Sequence, residues 1–139
     1  MFWVVDNIQR LMIVSGLLTL TMVYGAIAPE AALQSTFGET IEGPVADVVV
    51  RNWAALIGLI GALLIYGARN IAVRHVALVL AGISKTIFIA LVLSHGQRFL
   101  AAQAGVAIAV DALWVVVFAW YFVALRRRQP AAIAPSAMR

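Results

Sequence analysis

The chain has 139 residues, the length of one domain, yet 64% of them are hydrophobic, only 12% are charged, and the mean hydropathy is +1.00. A soluble domain is about 45–50% apolar and about 25% charged, so this composition excludes a polar-surfaced soluble enzyme and specifies an integral membrane protein. The chain has no cysteine, which excludes disulfides, thiolate nucleophiles and Cys-ligated iron–sulfur clusters, and its formal charge of +4 comes from arginines at the ends of apolar runs, a topological pattern and not a nucleic-acid footprint.

A membrane-crossing helix needs about 20 largely apolar residues, and four stretches supply them. The first predicted span covers about residues 10–28 and is uncharged from Leu11 to Ala28. Ala26-Ile27-Ala28 has the small-x-small form of a signal-peptide cleavage site, but Asp6 stands where a basic region belongs and the apolar run is longer than a signal core, so a retained helix is expected. The connection from Pro29 to Asp47 is long and holds Pro29, Gly38, Gly43 and Pro44; Pro29-Glu30 before Ala31-Ala32-Leu33 predicts the start of a short interfacial helix. The second span, 49–68, carries Arg51 as its one charge. The third, 76–94, is broken only by Lys85, and the fourth, 101–125, only by Asp111.

Connections from Arg69 to His75 and from His95 to Arg98 are short enough to force antiparallel neighbours. The expected fold is therefore an all-α, up-down four-helix membrane bundle over residues 1–128, with the longer extracytoplasmic loop between the first two helices and a flexible cytoplasmic tail at 129–139. Arg10, Arg69, Arg74 and the Arg126-Arg127-Arg128 run gather on one side, against Arg51 and Arg98 on the other, where Glu30, Glu39, Glu42 and Asp47 also lie. That asymmetry predicts a protein of the inner (plasma) membrane with both termini cytoplasmic.

Once topology has accounted for the other charges, Lys85, Asp111 and Arg51 remain. Counting back from the turn near Gly96 at 1.5 Å per residue puts Lys85 roughly 13 Å and Asp111 roughly 12 Å below the outer boundary, on neighbouring helices. A lone charge at that depth costs about 2.5–3.5 kcal/mol, so the two are expected to pair. The pair reads either as a clamp holding the third and fourth helices in register or as the lining of a ligand cavity or proton path. A lysine aldimine with a bound aldehyde is chemically conceivable, but four helices enclose little space for it.

Arg51, Ala54, Ala55, Gly58 and Ala62 share a helix face, and Ala54-x-x-x-Gly58-x-x-x-Ala62 forms a small-residue stripe for close helix approach. Arg51 is thus expected at the mouth of the bundle, paired with Glu42 or Asp47 or clamping a ligand head, with Asn52 beside it. Gln103, Ala107 and Asp111 give the fourth helix a polar stripe, and Thr19 and Tyr24 offer hydroxyls from the first. The predicted ligand-binding set is Arg51, Asn52, Lys85, Gln103 and Asp111. His75 and His95 are separated by about 30 Å of helix and cannot share a metal; no catalytic or metal-binding spacing occurs, and no cofactor is expected apart from a possible quinone.

The pattern resembles the DoxX-like family of small four-helix bacterial membrane proteins. The residues that carry the resemblance are Pro29-Glu30-Ala31-Ala32-Leu33 followed by Phe37-Gly38, Arg51 opening the second span before Ala54-x-x-x-Gly58-x-x-Gly61, and Ser84-Lys85 at the centre of the third. The resemblance implies an inward-facing arginine at Arg51 and, since DoxX is similar to a membrane subunit of a thiosulfate:quinone oxidoreductase, a quinone-side or anchoring role with the redox chemistry elsewhere. The leading functional expectation is an outward-facing polar pocket for an amphipathic or anionic molecule, quinone- or lipid-like, in an accessory subunit without its own reaction. Its partners would be the bilayer, such a ligand, and a second copy or a membrane complex, with no nucleic acid. The alternatives are a small proton-coupled transporter using the Lys85–Asp111 pair, and a purely structural or dimerising protein.

Overall fold

The computed structural model describes residues 3–128, so the tail expected at 129–139 lies outside the described residues. Helix α1 (Trp3–Leu20) leads through a 3₁₀ turn (Thr21–Val23) into the short α2 (Tyr24–Ile27), and the three together make the first crossing. The helix loosens where the Thr21 hydroxyl donates to the Leu18 carbonyl at 2.6 Å, a local bond that competes with the backbone ladder. It stops at Ala28, whose backbone (φ −127°, ψ 74°) is held out of the helical region by the proline that follows. Pro29 opens the expected short helix, α3 (Pro29–Phe37), where its missing N–H costs nothing, and Gly38 closes it in the left-handed conformation at φ 74°.

The other three crossings are α4 (Pro44–Arg69), α5 (Ile71–Ser94) and α6 (Gln103–Arg128). All four are long and apolar enough to cross a membrane. Against the spans 10–28, 49–68, 76–94 and 101–125 the helices extend mainly toward the arginine-bearing end and, in α4, at both ends, because hydropathy marks only the part that lipid covers while the hydrogen-bond ladder continues through polar flanks. The connection read as Arg69 to His75 is in fact the single residue Asn70. Its side chain accepts from the Ala72 N–H at 3.1 Å as the cap of α5 and donates to the Tyr66 hydroxyl at 2.9 Å. The other short connection is longer than expected, a run of turns over residues 95–102.

Each crossing packs against its neighbours in the chain, and α6 returns to α1, so the four helices form an up-down ring. The seam between α1 and α4 is the tightest. A Cβ on Gly61 would lie 2.8 Å from the Gly16 carbonyl oxygen and 2.8 Å from the Leu20 nitrogen, and one on Gly58 would lie 2.2 Å from a Val23 methyl. The small-residue stripe therefore runs Ala54, Gly58, Gly61, not on to Ala62, which is exposed like Ala55; a seam at i, i+4, i+7 follows the 3.6-residue turn more closely than strict steps of four. Leu17, Leu59, Ile83 and Leu113 face outward, the apolar surface that lipid requires.

The end of the bundle bearing Arg69, Arg74 and Arg126 to Arg128 will be called the arginine end, and the opposite one, with α3 and the 95–102 turns, the loop end. Toward the arginine end Ile8, Met12, Leu64, Leu78 and Phe118 make a dry core. Arg74, counted from sequence as a topological charge, is buried there: its Nε donates to the Gly67 carbonyl at 3.3 Å and an Nη to the Ala68 carbonyl at 3.0 Å. These are among the carbonyls that the end of α4 leaves without helical partners, and a cation is favoured at that helix terminus.

Candidate functional site

Lys85 and Asp111 meet as their counted depth requires. The Lys85 ammonium donates to Asp111 Oδ1 and, at 3.2 Å, to the Thr19 hydroxyl, which ties α5 to both α6 and α1. The side chains are 8% and 19% exposed, so the pair is desolvated on the lysine side and partly open on the carboxylate side. Thr19 supplies the mid-depth hydroxyl read from the sequence; Tyr24 is exposed and does not.

The remaining three residues of the predicted set do not join this pair. Arg51 is 44% exposed and paired with Asp47 at 2.8 Å, the acid one helical turn before it. Its Nη1 donates to the carbonyls of Ala26 at 2.6 Å and Ile27 at 3.2 Å, the last of α2. The arginine thus anchors the break between α2 and α3 and is not held ready for a ligand. Asn52, about 100° further round α4, is exposed, and so is Gln103, the first residue of α6 at the loop end. The outward-facing polar pocket expected from these five residues is therefore not assembled: two of them pair at mid-depth, one is a helix anchor and two face away. Replacing Arg51 with alanine is expected to leave the four crossings folded while amide hydrogen exchange rises across residues 24–37, read by mass spectrometry against unchanged protection in α5.

A cavity does open at the loop end, and its lining is apolar. About 430 Å³ in volume, it lies under α3, between the first turns of α4 and the last of α5. Its walls are aromatic: the Phe37 ring stands 6.1 Å from Trp53 and 5.4 Å, edge-on, from Phe99, which is itself 6.1 Å from His95, while Phe88 and Val92 also line the space. Phe88 and Val92 lie on the Lys85 face of α5, one and two turns nearer the loop end, so they separate the chamber from the ion pair. Arg98 and Glu39, 2.6 Å apart at the rim, are 65% and 48% exposed and so contribute little energy to holding it shut.

A smaller recess of about 230 Å³ shares Leu33, Ile41 and Val50 with this chamber and is bordered by Glu30, Glu42 and Asp47. Glu30 and Glu42, with Asp47 balanced by Arg51, suit an uncharged or cationic head and repel an anionic one. The contacts that bring Phe37 to Trp53 and Phe99 are long-range and leave no local signal in the sequence. Among the described residues no group of three or more His, Cys, Asp and Glu side chains is placed to hold a metal ion; the His75 ring packs on Phe122 at 4.8 Å, and His95 Nδ1 sits 2.8 Å from the Leu91 carbonyl. Compared with protein-family models, with curated proteins and with solved structures, the chain matches none of them.

Proposed function

We propose that the protein is a multi-pass subunit of the bacterial inner membrane, with both termini cytoplasmic, that binds an apolar, quinone- or lipid-like molecule in the loop-end chamber. The chamber is the observation that carries the reading. Its volume falls within the roughly 300–1,000 Å³ usual for small-molecule sites, and rings on three of its sides match a flat or chain-like apolar body. The neighbouring carboxylates favour a neutral, hydrogen-bond-donating or cationic head, so an amphipathic ligand fits better than an anionic one. The arginine asymmetry supports the orientation, which sets the chamber at the outer leaflet. The DoxX-like resemblance is compatible with this reading through its link to a quinone-side subunit, and an accessory role in a larger membrane complex follows from the same link.

The test is direct. Native mass spectrometry of the detergent-solubilised protein is expected to show an added mass that organic extraction releases as a quinone or lipid. Val49→Trp, which pushes a large ring into the chamber from an exposed position, should abolish that mass and leave the helical circular dichroism unchanged. Retention of the same mass in Val49→Trp, or its absence from the unaltered protein, would overturn the reading.

A further inference from the structure

Hydroxyls in membrane helices usually satisfy themselves by donating to a carbonyl one turn back in the same helix. Thr21, Ser35, Thr86 and Ser94 all do this. Ser15 does not: it is fully buried in α1, and its Oγ has no hydrogen-bond partner within the protein. The indole Nε1 of Trp114, a side chain more than nine-tenths buried in α6, is the other buried side-chain atom without a partner among the described residues. Native structures seldom leave such atoms unpaired.

The two atoms belong to one layer. Ser15 lies one turn from Thr19 on the same face of α1, Trp114 lies one turn from Asp111 on α6, and Ala81 lies one turn from Lys85 on α5. Because α1 and α5 run toward the loop end and α6 runs away from it, all three steps lead toward the arginine end, by about 4.5–6 Å at 1.5 Å per residue. The layer under the ion pair is therefore made of Ser15, Ala81 and Trp114 with Leu64 of α4, which lies beside Gly16 at the same level, and Ala81 and Leu64 bring only apolar groups to it. Beyond it Met12, Leu78 and Phe118 close the bundle with apolar side chains.

The chemistry of the layer is specific. Indole N–H is a donor only, a serine hydroxyl donates and accepts, and an ammonium has three protons, of which Lys85 commits two, to Thr19 and Asp111. We propose that this layer binds one water molecule, which accepts from the Trp114 N–H, exchanges a hydrogen bond with Ser15 and reaches the Lys85–Asp111 pair, making that pair an internal proton-exchange centre. A single water meets the usual requirement of about three partners for a buried site. Through it a proton passes from Lys85 to the Asp111 carboxylate: the water takes one proton and gives one, the charged pair becomes a neutral amine and a neutral acid, and the total charge is unchanged. The dry core on one side confines this exchange to the layer and the space above it. The inference concerns the centre of the bundle and does not rest on a ligand in the loop-end chamber.

Lys85 is the one lysine in the sequence, so labelling with ζ-¹⁵N-lysine gives the full-length protein a single side-chain signal. In bicelles that signal is expected to show magnetisation transfer from water, and Ser15→Ala and Trp114→Phe are each expected to weaken it at least twofold. Each variant should also lower Tm by about 2–4 °C, and the double variant should be no worse than the more damaging single one, since either change removes the same water. Unpaired polar atoms with no bound water predict the reverse for Ser15→Ala, because a small apolar replacement is then neutral or stabilising. A Lys85 signal without water contact, single variants that are neutral or more stable, or fully additive losses would each overturn the proposal.

Discussion

Replacing Lys85 with methionine is expected to cost the bundle about 3–5 kcal/mol, because it leaves the Asp111 carboxylate buried with its counter-charge gone. Asp111→Leu should cost a similar amount by stranding the ammonium, which keeps the neutral Thr19 hydroxyl but loses its counter-charge. The double variant, Lys85→Met with Asp111→Leu, is expected to recover most of that loss. Two well-packed apolar side chains avoid the desolvation that the ion pair must offset, and the interaction term in the cycle is then comparable with either single effect. Denaturation of the four proteins in mixed micelles, followed by circular dichroism, measures the cycle. If the double variant is as unstable as the sum of the singles, Lys85 and Asp111 are not stabilised by each other and the observed contact is energetically empty.

Gly61→Val is expected to be strongly destabilising. The added carbon meets a carbonyl oxygen and a backbone nitrogen of α1, not the flexible end of a side chain, so neither neighbour can turn aside and the two helices must separate. Overpacking of this kind costs about 1–3 kcal/mol, and a β-branched side chain against backbone belongs at the upper end. Gly82→Ala on α5 is the matched control: no atom lies within 4 Å of the new carbon, and replacing a mid-helix glycine is expected to stabilise by about 0.5–1 kcal/mol. Tm values of the two variants in one detergent should therefore move in opposite directions.

The sequence made the bundle legible because lipid imposes one demand, about 20 apolar residues per crossing, and every interruption of that demand stands out. Lys85 and Asp111 were found this way, and counting residues from the turn near Gly96 was enough to set them at one level. The same logic pointed to Asp47 as a partner of Arg51, but it missed that arginine's reach to α2 and the burial of Arg74. A terminal arginine has the same appearance whether it faces lipid headgroups, a ligand or the end of a neighbouring helix, and only folding shows that both reach back to carbonyls at the end of the preceding crossing. Gln103 and Asn52 were misplaced for a related reason, since periodicity gives relative angles around a helix and not which angle faces inward near its ends. The chamber was not legible at all. Its rings come from α3, α4, α5 and the following turns, and nothing in the spacing of Phe37, Trp53, Phe88 and Phe99 along the chain brings them together.

The one-residue link at Asn70 bears on how the protein enters its membrane. With no slack between them, α4 and α5 have to insert together as a helical hairpin, and chains are made from the amino terminus, so this hairpin reaches the bilayer before α6 does. Lys85 is then carried to mid-bilayer without its carboxylate, at the insertion cost of about 2.5–3.5 kcal/mol for a lone central charge. Of its two observed partners, the one that precedes it into the bilayer is Thr19 of α1. That hydroxyl is a minor contact in the finished bundle, but during assembly it is the acceptor that can hold the ammonium until Asp111 arrives.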